Sequence, residues 1–163
     1  MIAVVLLMFV GGIALTQAVS EPRQVTLRWL RLGGLIAVSL LTVAATATVM
    51  TDPLRRTDLL VAVGVVAVPV LAQLITVQQA MRRTQRIAAA VGFVLASLLA
   101  AYHGMAHELA APLEPGLFLP GVERSQAWQW GASLVSAPLG AGLLGGFLMT
   151  MLLGHAYLTA GNE

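Results

Sequence analysis

Apolar residues in this chain come in long runs separated by short polar stretches, with no sustained alternation. A helix needs roughly 20 apolar residues to cross a bilayer, and by that measure the runs predict five spans. They lie at residues 2–19, 32–50, 59–77, 87–105 and 132–158. In hydrocarbon every backbone N–H and C=O must be satisfied within its own segment, so runs of this length are expected to be helices. The expected fold is all-α, a polytopic transmembrane bundle forming a single domain over residues 1–163. The longest connection is the loop at 109–131, which holds Pro112, Pro115 and Pro120 around an apolar Leu117-Phe118-Leu119 centre. The first run has small residues from Ala14 to Ser20, as a cleaved signal would. It lacks a positive leading region and exceeds the usual core of about 7–15 residues, which favours a retained helix.

Composition places the chain far from soluble proteins: 58% of residues are hydrophobic, 10% are charged and the mean hydropathy is +0.87. Soluble domains carry about 25% charged residues. The nine basic residues are all arginines and flank the spans rather than forming one patch, which argues for membrane orientation and against a nucleic-acid partner. Arg23, Arg28 and Arg31 stand against Glu21 after the first span, and Arg82, Arg83 and Arg86 stand unopposed after the third. The other connections carry Asp52, Arg55, Arg56 and Asp58, or Glu108, Glu114, Glu123 and one Arg124. The positive-inside rule then puts the N-terminus out and the C-terminus in, as in a bacterial inner membrane. With no cysteine, a disulfide framework and thiolate metal sites are excluded.

Several residues inside the spans suggest packing. Pro69 interrupts the third span and should kink it, with Gln73 one turn on either bonded to a neighbouring helix or lining a polar path. Trp29, Trp128 and Trp130 are placed to anchor the interfacial belts. The fifth span carries a small-residue row, Pro138, Gly142, Gly146, Thr150 and Gly154, in which Gly142 and Gly146 form a GxxxG pair suited to close helix packing. Its partner is a helix of this chain, a second copy in a homo-oligomer, or another membrane subunit.

The candidate chemistry rests on three histidines. His103 and His107 are four apart and share one helix face, and Glu108 lies about 100° further round. An imidazole pair of this kind is half of a transition-metal site, with the remaining ligands left to Asp52, Asp58, Glu114, Glu123 or a partner. The alternative is an interfacial helix end with its histidines bonded to carbonyls and water. His155, beside Gly154 near the opposite end of the fifth span, fits a contact to b-type haem or quinone, or a snorkelling histidine at the interface. No catalytic nucleophile with a matched base is visible.

His103-Gly104-Met105-Ala106-His107 resembles the His-Gly-x-Ala-His segment in a late helix of the HupE/UreJ nickel permeases. The resemblance takes in the apolar run 88–102 and the glycine-rich 140–154. It implies nickel- or cobalt-like transport with His103 and His107 as metal contacts. No histidine precedes His103, so the N-terminal histidine/aspartate motif of that family has no counterpart and only these two positions carry over.

The function expected from the residues alone is that of a non-catalytic membrane subunit packed through glycine rows into a larger assembly, such as an electron-transfer complex. The alternative is a transition-metal transporter or metal-handling membrane protein. The orientation can be tested directly. Cysteines introduced at Arg23 and Arg83 should resist an impermeant thiol reagent added outside the cell and react once the membrane is opened. Labelling of either from outside alone would refute the orientation.

Overall fold

The computed structural model describes the backbone of residues 2–20, 26–51, 56–79, 81–108 and 126–160, and side chains at 2–20, 26–50, 56–79, 81–104 and 130–152. These residues form five helices, α1 (Ile2–Val19), α2 (Leu27–Thr51), α3 (Arg56–Gln78), α4 (Arg82–Glu108) and α5 (Gln126–Ala160). Each contains a stretch long and apolar enough to cross a membrane, so the expected all-α bundle of five spans is borne out. The helices begin earlier than the hydropathy runs, however: α2 at Leu27 rather than 32, α4 at Arg82 rather than 87, and α5 at Gln126 rather than 132. Hydropathy marks the stretch that hydrocarbon will accept, whereas the hydrogen-bond ladder continues wherever arginine stems can lie along the helix with their charges in water. Arg28, Arg31, Arg82, Arg83 and Arg86 therefore stand on helical turns and not in loops. Of the long connection, residues 126–131 belong to α5 and 109–125 lie outside the described residues.

Helices α1 to α4 pack in a cycle, α1 against α2 and α4, and α3 against the same two from the far side. Helix α5 lies outside this cycle, in the groove between α1 and α4. The inward face of each helix is a row spaced by three or four residues, the period that keeps one stripe of a helix against its neighbour. In α1 the row is Ala3, Leu7, Val10, Ala14 and Gln17, and in α4 it is Gln85, Ala89, Gly92, Ala96, Ala100 and His103. The outward face of α4 is Ile87, Val91, Val94 and Leu98, and that of α3 includes Val61, Val68 and Ile75. On α4 small residues thus lie inside and large aliphatic ones outside, whereas α1 and α3 also bury Leu7, Val10, Val63, Val66 and Val70. This suits a lipid solvent, which is itself apolar and leaves close packing to drive association.

The tightest contact joins α1 to α5. A Cβ built on Gly12 would overlap the Ala141 carbonyl oxygen and come within 2.6 Å of Gly145 Cα, and one built on Gly145 would overlap the backbone of Gly12. Neighbouring positions are close without overlap: a Cβ on Gly11 would lie 3.2 Å from Ala96 Cβ and 3.5 Å from Ala141 Cβ. Gly92 provides the room on α4, where a Cβ would meet Ala14 Cβ at 3.7 Å and the Pro69 ring at 3.8 Å. Helix α3 runs on through Pro69, whose buried ring faces that glycine. Hydroxyl groups are mostly satisfied within their own helices, as in Thr16 Oγ1 to Gly12 O at 2.8 Å and Thr48 Oγ1 to Ala44 O at 2.8 Å. Such back-bonding is what a polar side chain in hydrocarbon requires.

These contacts separate the glycines into two groups by the cost of a methyl group. Gly12→Ala and Gly145→Ala must push two backbones apart and are expected to lower the stability of the detergent-solubilised chain by about 2–4 kcal/mol, beyond the usual 1–3 kcal/mol of overpacking. Gly64→Ala and Gly146→Ala meet nothing within 4 Å. Both should be neutral or stabilising by up to about 1 kcal/mol through helix propensity. Thermal unfolding of the four variants, compared side by side, checks the order.

Candidate functional site

The inward rows become polar where α1 ends, α2 begins, α3 ends and α4 begins. Gln17 closes the row of α1, Gln73 and Thr76 that of α3, and Gln85 opens that of α4. Gln17 is 1% exposed and Gln73 and Gln85 are 2% exposed, so three uncharged amides stand in the interior beside a rim of arginines. Gln17 Nε2 donates to the Leu30 carbonyl at 3.0 Å. It lies over Gly33, where a Cβ would strike the amide and come within 2.8 Å of Met149 Cε. Thr76 Oγ1 donates to the carbonyls of Ala72 and Gln73, each at 2.9 Å, and the Thr76 carbonyl accepts the Met81 N–H at 2.9 Å across the α3–α4 turn. Arg86 Nε donates to the Ala18 carbonyl at 2.8 Å. A cation on the carbonyl end of α1 is favoured by the helix dipole, and this bond ties α4 to α1.

Donors outnumber acceptors in this region. The amide nitrogens of Gln73 and Gln85 and the indole nitrogen of Trp29 are buried without a hydrogen-bond partner, as is the acceptor oxygen of Gln17. A buried polar group left in this state costs about 1–3 kcal/mol. Trp29 departs from expectation. At 6% exposed it belongs to the interior and not to an outward interfacial belt, because the turn Leu27–Leu30 rotates it onto the same face as Leu30 and Gly33. Trp130 is exposed, and its ring lies 6.4 Å from that of Tyr102, joining α5 to α4 at the other end of the bundle. The side chain of Trp128 lies outside the described residues.

At that other end, His103 closes the inward row of α4, 6% exposed, with its ring edge-on to Tyr102 at 5.1 Å. His107 and Glu108 continue the same helix, so the four-residue helical spacing of the histidines holds in the backbone. The side chains of His107 and Glu108 lie outside the described residues, as do Asp52, Glu114 and Glu123. Asp58 is exposed in the first turn of α3. Among the described residues no three of His, Cys, Asp or Glu converge on a point. His155 and Gly154 lie on α5, and their side-chain surroundings are likewise outside the description.

The small-residue row of α5 also finds its place. The residues turned to α1 are Ala137, Ala141, Gly145 and Met149, one position away from Gly142, Gly146 and Thr150. A Cβ on Gly142 would reach only Leu15 Cδ2, at 3.6 Å, and one on Gly146 nothing within 4 Å. Thr150 is exposed and donates to the Gly146 carbonyl at 2.8 Å. The residues that the sequence reading passed over are Gly12, Gln17 and Gln85. Gln17 and Gln85 keep the three-and-four phase of an otherwise apolar row, which is the signal that could have placed them inside. No family model matches the sequence, and searches of curated proteins and of solved structures return no match.

The partner assignments at the amide end predict an order of stabilities. Gln73→Met removes a donor that has no partner and should leave stability unchanged or raise it by up to about 1 kcal/mol. Gln17→Met removes a made bond and should cost about 1 kcal/mol. Thermal unfolding in detergent decides, and the reverse order would mean that Gln73 rather than Gln17 holds the helices together.

Proposed function

We propose that this chain is a non-catalytic integral membrane subunit that packs into a larger membrane assembly. The observation that carries the reading is the outward row of α5. Among the described residues a Cβ on Gly142 would meet only the end of Leu15 and one on Gly146 nothing, Thr150 is exposed, and the row is flanked by exposed Leu139, Leu143 and Phe147. A row of small residues between large ones is the surface that lets a further membrane helix approach closely. Inside the chain the same kind of surface is already occupied at Gly12 and Gly145. The orientation with the arginine-rich end in the cytoplasm of a bacterial inner membrane belongs to this proposal, as does an electron-transfer assembly in which His155 contacts a haem or quinone shared with a partner.

A second reading is favoured by the position of His103, which sits on the inward row of α4 and not among the lipid-facing residues. Together with His107 it would form part of a transition-metal path, in line with the nickel-permease resemblance.

Purification in mild detergent, with identification of co-purifying proteins and determination of metal and haem, tests both. The subunit reading expects a stoichiometric membrane partner, lost or weakened in Gly146→Leu while the chain remains folded. Metal bound by the isolated chain and lost in His103→Ala or His107→Ala would replace it with the metal reading. A Soret band lost in His155→Ala would fix the assembly as an electron-transfer complex.

A further inference from the structure

We draw no further inference here: the strongest candidate, the outward row of hydroxyl residues Ser39, Thr42 and Thr46 on α2, is a stripe of small side chains each bonded to a carbonyl of its own helix, and nothing in the structure shows what covers it.

Discussion

The contact of two helix backbones at Gly12 and Gly145 sets how every other element of this bundle can sit. Lipid chains are as apolar as leucine, so no hydrophobic force draws helices together inside a membrane, and the fold rests on dispersion between surfaces that fit. Dispersion falls steeply with separation. A pair of glycines without Cβ atoms lets α1 and α5 approach until the methylene of Gly145 lies against the backbone of Gly12. Once α5 is held there, the opposite side of α1 is left for α2, and the flank between them for α4. Gly92 and Ala96 of α4 then pack against Ala14 and Gly11, so small residues also bring α4 close to α1.

The polar end of the bundle follows from this geometry. Helices that pack so closely leave little space between them, and a polar side chain in the inward phase must find its bond in the backbone of a neighbour. Gln17 does so on Leu30, reaching across Gly33, where a side chain would block it. Gln73 and Gln85 do not. The arginine rim adds positive charge to the same end, and Arg86 secures it mechanically by capping α1 through Ala18. Close packing and unpaired donors therefore coexist at one end of the molecule. The other end carries aromatic contact between Tyr102 and Trp130 and the inward His103.

Much of this was legible in the sequence because the membrane imposes it. Length and apolarity of the runs gave all five helices, and only their ends were misplaced, at arginine-bearing turns that a hydropathy window rejects and a helix accepts. The faces were harder to read. In α5 two adjacent rows have small residues at every fourth position, Ala137, Ala141 and Gly145 beside Pro138, Gly142 and Gly146. Periodicity cannot choose between them, since what decides is the angle at which α1 lies. The glutamines were hidden for a related reason. A single amide in an apolar run, such as Gln17, has the same sequence appearance whether it faces a neighbour or the headgroups. Trp29 has the arginine neighbours of an interfacial anchor, yet its place on the helix turns it inward.

Cysteine cross-linking in native membranes reaches the central placement of α1 most directly, since the chain has no cysteine of its own. Disulfides form when Cβ atoms stand about 3.5–4.5 Å apart. The Ala14/Gly92 pair lies at 3.7 Å and the Gly11/Ala141 pair at 3.5 Å, counted from an ideal Cβ on each glycine. Double-cysteine variants at these pairs should oxidise readily, as read by mass spectrometry of the unreduced chain, while Gly11 paired with Gly146 should not. Failure of both expected pairs, or efficient cross-linking of Gly11 to Gly146, would show that α1 does not lie between α4 and α5 on these faces.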